Sequence, residues 1–128
     1  MGLKSQLNGI IFESKLCEYL SNDGYYVIYN NKGIVGSQPC DIVAIKNNIA
    51  TLIECKNLEN QSGKFPLSRI ESNQWLAYKK LKECHNSNMA LAIYWDDNVY
   101  FVNFDLLQFF NKSIDLKAIE PNIKNWSK

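Results

Sequence analysis

Three residue types suited to phosphate chemistry stand close together between Gln38 and Asn57: Asp41, Glu54 and Lys56. The chain between them is apolar, with Ile42, Val43, Ala44 and Ile45 before Asn47-Asn48, and Ile49, Ala50, Leu52 and Ile53 after it. Asn tolerates the positive φ that two-residue hairpin turns need, so Asn47-Asn48 reads as a turn. Lys46 then faces Ile49, and Asp41 faces Glu54. Opposed residues of an antiparallel pair project to one face, with Cβ atoms roughly 4.5–5.5 Å apart. Glu54 and Lys56 are two apart on one strand and share that face. One end of the hairpin thus gathers two carboxylates and an ammonium.

Two carboxylates that close repel each other, and one of them would tend to take up a proton. A divalent cation removes the conflict. Mg2+ favours a few carboxylates together with water and substrate phosphate oxygens. Such an ion can activate water and neutralise charge at a phosphate under attack. A lysine beside it stabilises the developing charge or orients the water. The same three charges also fit a solvated hairpin end carrying a Glu–Lys pair, which needs no ligand at all.

The elements that would position this end follow from periodicity. Leu7 to about Asn22 reads as a helix, with Leu7, Ile10, Ile11, Cys17 and Leu20 at helical spacing and Gly24 as its stop. Glu13 falls on or beside that apolar stripe, as a site residue or as an edge glutamate reaching water. Tyr25–Tyr29 is a strand by its aromatic and β-branched content. A loop over 30–38 leads into the hairpin strands Asp41–Lys46 and Ile49–Cys55. Asn57–Ser68 is polar, holds Gly63 and Pro66, and reads as a second loop. A second helix runs from Ser68 or Ser72 to Cys84. Its stripe is Gln74, Ala77, Tyr78 and Leu81, again with one polar member, which also suits a helix start. Met89–Trp95 and Val99–Phe104 are strands around the turn Asp96-Asp97-Asn98, and Asp105 is a candidate cap for a short helix through Phe110. In the tail, Ile114, Leu116, Ile119, Ile123 and Trp126 imply packing onto the body. This order predicts an α/β domain around a central mixed sheet.

The 128 residues suit a single domain over 1–128, and 46% hydrophobic content supports a globular core. A net charge of +1 provides no overall basic field for nucleic acid, though a local basic patch is enough for a nuclease. Cys17, Cys40, Cys55 and Cys84 form no CxxC pair and no zinc-finger spacing, and read as reduced cysteines at core or near-core positions. No apolar run reaches signal or membrane length, so no membrane association and a cytoplasmic location are expected.

Pro39-Cys40-Asp41, twelve intervening residues, then Glu54-Cys55-Lys56 resembles the motif of the PD-(D/E)xK nuclease superfamily. Cys40 interrupts the letter of that motif, at a position that carries no chemistry. Within the superfamily the chain is most similar to Holliday-junction resolvases of archaeal, phage and bacterial type, over roughly Gly9 to Phe104. Gly9–Glu13 resembles that family's first-helix element, Gly36-Ser37 its loop serine, and Phe65-Pro66-Leu67 with Gln74 the segment leading into the helix after the motif. The resemblance implies a restriction-endonuclease-like fold, α/β, with a central mixed five-stranded sheet flanked by helices. It implies Asp41, Glu54 and the Cys55 carbonyl as metal ligands, and Glu13 as a ligand directly or through water. Lys56 would be the catalytic lysine, Gln74 a supporting residue, and Ser37 a contact near the scissile bond. Mg2+ is the implied cofactor, with Mn2+ as a substitute.

Lys32, Lys64 and Arg69 are candidate phosphate contacts, as are Lys79, Lys80 and Lys82, all of which also fit a solvated surface. The expected function is a structure-specific DNA endonuclease that makes paired cuts at four-way junctions. A two-fold homodimer would supply two sites at fixed separation. Tyr94, Trp95, Tyr100, Phe109 and Phe110 are candidates for its surface or for the core. The alternatives are another nuclease of this fold, in repair, restriction or defence, and a non-catalytic DNA-binding module with a relict site.

Overall fold

The structure, a computed structural model, describes residues 3–30 and 40–128, with side chains from residue 8 onward. The expected contacts Ser37 and Lys32, and Pro39 of the motif, lie outside the described residues. Helix α1 (Leu3–Asn22) is followed by β1 (Tyr26–Tyr29), β2 (Ile42–Lys46), β3 (Ile49–Asn57), a short β4 (Lys64–Pro66) and a 3₁₀ turn (Leu67–Arg69). Then come α2 (Ser72–Leu81), β5 (Ser87–Trp95), β6 (Asn98–Asn103), a 3₁₀ segment (Phe104–Phe109), β7 (Ser113–Asp115) and a last 3₁₀ turn (Leu116–Ala118). The main sheet has the order β1-β2-β3-β5-β6. β3 and β5 are parallel and every other pairing is antiparallel, so the five-stranded sheet is mixed as expected.

The turns are where the residue types put them. Asn47 and Asn48 have φ of 53° and 67°, and Asp96 and Asp97 have φ of 51° and 62°. Both positions positive is the turn that matches the twist of paired strands, and Asn and Asp are among the few side chains that tolerate it. The β2–β3 register follows, with Lys46 opposite Ile49 and Ile42 opposite Ile53. At the start of α2, Glu71 and Gln74 form a capping box, and the Gln74 Oε1 accepts the Glu71 N–H at 2.9 Å.

The sheet is packed on both faces. On one, Phe12, Leu16 and Leu20 of α1 meet Ile42, Ala44, Ile53 and Ala92, with Trp126 of the tail closing the layer. On the other, Ala77, Tyr78 and Leu81 of α2 lie over Met89, Leu91, Phe104 and Leu107, and Phe65, Ile114 and Leu116 complete the core. Among the described residues no helix is long and apolar enough to cross a membrane.

Several local expectations are corrected. The buried stripe of α1 is Phe12, Glu13, Leu16 and Leu20, while Ile10 and Ile11 are exposed. Three successive apolar residues permit more than one stripe. Phe12 wins because its ring meets both Tyr94 and Trp126, at centroid distances of 5.5 and 5.7 Å. The segment Asn57–Ser68 is not all loop, since β4 pairs with β7 from the distant tail, Phe65 opposite Ile114. Asp105 caps nothing. Asn103 accepts the Asp105 N–H, and the Asp105 carboxylate instead binds the Tyr78 hydroxyl and Lys82. Cys84 is exposed, unlike the other three cysteines. Of the aromatic surface candidates, Tyr100 is buried and Phe109 is 76% exposed.

Candidate active site

Four polar or charged side chains are buried among the described residues: Glu13, Asp41, Glu54 and Gln74. Burying a charge costs several kcal/mol unless it is paired and hydrogen-bonded. An α/β fold of this size has no structural need for three buried carboxylates. Their clustering in sequence elements that meet at one end of the sheet marks the candidate site.

Asp41 is not a ladder residue as the hairpin register alone would have it. Strand β2 starts at Ile42, and Asp41 sits in a bend with its N–H on the Ile53 carbonyl at 2.9 Å. The bend turns its carboxylate toward β3, where Oδ2 accepts the Cys55 N–H at 2.8 Å. Asp41 thereby occupies the edge of β3 that β2 has left. A strand residue's N–H and C=O point to the same edge, so the Cys55 carbonyl faces that edge as well. Asn30 clamps the bend, donating its N–H to the Asp41 carbonyl at 2.9 Å and its amide Nδ2 to the Cys40 carbonyl at 2.7 Å.

Glu54 and Lys56 lie beside Leu91 and Ile93 in the parallel β3–β5 register, and so project to the α2 side of the sheet. Lys56 Nζ stands 3.3 Å from Glu54 Oε2, with side-chain exposures of only 11% and 9%. Its ammonium also donates to the Arg69 carbonyl at 3.2 Å. The Arg69 guanidinium in turn donates to the Asn57 carbonyl at 2.9 Å and lies over the Phe65 ring. Burial lowers the guanidinium pKa, and the charge of Glu59 opposes that shift. Arg69 is therefore partly committed to tying the 3₁₀ turn to β3, whereas Lys64, Lys79, Lys80 and Lys82 are exposed.

Glu13 approaches from the other face. Its Oε1 accepts the Tyr29 hydroxyl at 2.8 Å, which together with burial raises the phenol pKa above its ordinary value. Among the described residues no three His, Cys, Asp or Glu side chains form a group that could enclose a metal ion. Two buried carboxylates with a neighbouring backbone carbonyl nevertheless form a hard oxygen set. Such donors suit a hard divalent cation that keeps several waters rather than filling an all-protein cage. Cys40, buried next to Asp41, has its thiol pushed up to about 11 by burial and by the charge of Glu54, and is no competing thiolate ligand. Gln74 is buried, and its side-chain oxygen closes the cap of α2.

A cleft of about 550 Å3 opens beside Lys56, lined by Gly9, Cys55, Lys56, Asn57, Leu58, Glu59, Asn60, Pro66 and Arg69. Tyr29, Asn30 and the Arg69 main chain were not foreseen as site elements. Nothing in local sequence marks them, because each acts through a partner that only the tertiary fold brings close.

The chain is 27% identical over 93 residues to a UPF0102 protein of Cytophaga hutchinsonii, covering 73% of this chain and 78% of that one. Its structure is similar to that of Hjc, a Holliday junction resolvase of the archaeal hyperthermophile Archaeoglobus fulgidus, with a TM-score of 0.64 and 21% identity. The match covers 86% of this chain and 90% of that one. The fold is thus restriction-endonuclease-like. The model of the nuclease-related domain matches residues 8–119, and the chain belongs to the nuclease-related domain family.

Proposed function

We propose that this chain is a divalent-metal-dependent DNA endonuclease acting on branched DNA, most specifically one that makes paired phosphodiester cuts at four-way junctions as a homodimer. The observation that carries the reading is the buried Asp41 and Glu54 with the nearly buried Lys56 at one end of the sheet, beside a cleft that Lys56 and Arg69 line. Asp41, Glu54 and the Cys55 carbonyl would hold Mg2+, with Mn2+ as a substitute, and Glu13 would reach it through water. The bound ion supplies an activated water and neutralises charge on the phosphate. Lys56, held between Glu54 and the Arg69 carbonyl, places a positive charge where the reacting phosphoryl group gains negative charge. Asp41, fixed by the Cys55 N–H and by Asn30, needs no reorganisation to present its oxygens. Gln74 supports the site through the start of α2, and Ser37, Lys32, Lys64 and Arg69 contact the DNA.

The relative of like fold from Archaeoglobus fulgidus is a Holliday junction resolvase, which favours the junction over other substrates. Resolution needs two cuts and one chain carries one site, so a two-fold dimer follows. The test is a cleavage panel with Mg2+ on a four-way junction, a linear duplex of the same arm sequence, and a single strand. Paired cutting confined to the junction, and persisting when arm sequences are scrambled, is the expected result. Equal cutting of duplex and junction would leave a general nuclease, and no cutting of any DNA would leave a binding module.

A further inference from the structure

Gly9 lies inside the 20-residue helix α1, well away from either end of the helix. Glycine there is a poor choice, because it loses more backbone freedom on folding than alanine and has no side chain to pack. Helices keep such a residue when a neighbour presses too close for a methyl group. That explanation fails here. A Cβ built on Gly9 has one heavy atom of the described residues within 4 Å, Asn57 Nδ2 at 3.9 Å, which is ordinary van der Waals contact. The φ of Gly9 is not in the positive region either, unlike Gly24 and Gly63. Among the described residues neither packing nor backbone geometry demands glycine.

What Gly9 does face is the cleft that holds Lys56, Cys55 and Arg69. Resting on the nuclease reading above, we propose that Gly9 is a substrate-contact position, where a nucleic-acid strand crosses α1 with its sugar-phosphate backbone against the bare helix. Arg69 of the same cleft offers phosphate a cation, with Glu59 the acidic residue of its lining, and the missing side chain at position 9 leaves the depth that a backbone needs. Asn57 completes the crossing point. Its side-chain Nδ2, beside Gly9, is a donor for a phosphate or sugar oxygen of a strand that arrives there.

The test uses the full chain with Gly9→Ala and Gly9→Leu, a fluorescent four-way junction with Ca2+ for binding, and Mg2+ for cleavage. Gly9→Ala should raise the melting temperature by a few degrees, as expected at a half-buried helical site that tolerates a methyl. The same variant should bind the junction at least tenfold more weakly, and Gly9→Leu should lose more. A gain in stability with a loss in binding is a combination that a purely structural glycine does not produce. Wild-type binding and cleavage by both variants would overturn the proposal while leaving the nuclease reading intact. A lower melting temperature for Gly9→Ala would also overturn it, by showing that the helix itself requires glycine. Wild-type protein that neither binds nor cuts any DNA would instead bring down the nuclease reading, and this proposal with it.

Discussion

Lys56 is the candidate catalytic residue with the most tightly defined surroundings. It is nearly buried, it neutralises Glu54, and its other described bond is to a main-chain carbonyl. Lys56→Ala therefore has two separable effects. It should slow single-turnover junction cleavage by about 10²–10³, the scale of losing one preorganised electrostatic stabiliser. It should also destabilise the fold by about 1–3 kcal/mol, because Glu54 keeps its burial and loses its ammonium. Junction affinity should change little, and a variant with normal rate but lost binding would recast Lys56 as a phosphate anchor. Cys40 allows a check on burial at the same end of the sheet. Its folded pKa of about 11 exceeds the ordinary thiol value of 9.0, so the unfolded chain loses the proton first as pH rises. Stability is complete below about pH 9 and falls toward pH 11. Denaturation across that window should show a shallower decline for Cys40→Ala, and equal slopes would contradict the assigned burial.

At the scale of elements, the site depends on a strap that local sequence does not announce. β4 has three residues, pairs with β7 from beyond the last long strand, and leads directly into the 3₁₀ turn whose carbonyl holds Lys56. Phe65 anchors that strap in the core with no exposed surface, beside Ile114 and Leu116. Phe65→Ala should cost about 3–5 kcal/mol, as other large-to-small core changes do. Scanning calorimetry would measure it, and a loss below about 1 kcal/mol would show that the strap is not part of the core. The hairpins, by contrast, were readable because Asn47-Asn48 and Asp96-Asp97 leave few other conformations open. Gln74 was readable as a polar break in an apolar stripe, and it closes the cap of α2 with Glu71. The face of α1 was misread because Trp126, which selects Phe12 over Ile11, is more than a hundred residues away.

For the whole molecule, the legible part was the order of elements and which charged side chains stand out as candidates, and the illegible part was where distant segments meet. Asp41, Glu54 and Lys56 announced themselves by type and spacing, and Glu13 by lying on an apolar stripe. The bend at Asp41, the clamp from Asn30 and the Tyr29–Glu13 bond depend on tertiary contacts with no periodic signature. One prediction belongs to the assembly. If junction resolution requires two sites, mixed dimers with one Asp41→Asn subunit should nick junctions yet release few linear duplex products. Full resolution by the mixed species, or a strictly monomeric protein by light scattering, would contradict a two-site assembly.

The most direct test of the central claim is single-turnover cleavage of a four-way junction in Mg2+ by wild type and by Asp41→Asn, with folding and junction binding measured alongside. Asp41→Asn keeps an oxygen that can accept the Cys55 N–H and removes one of the three buried carboxylate charges, so it should fold with unchanged or raised stability in the absence of metal. The account predicts that it binds the junction and does not cut it, whereas wild type cuts with Mg2+ and stops when the metal is chelated. Cleavage by Asp41→Asn at a rate near wild type, or wild-type cleavage that survives chelation, would contradict it.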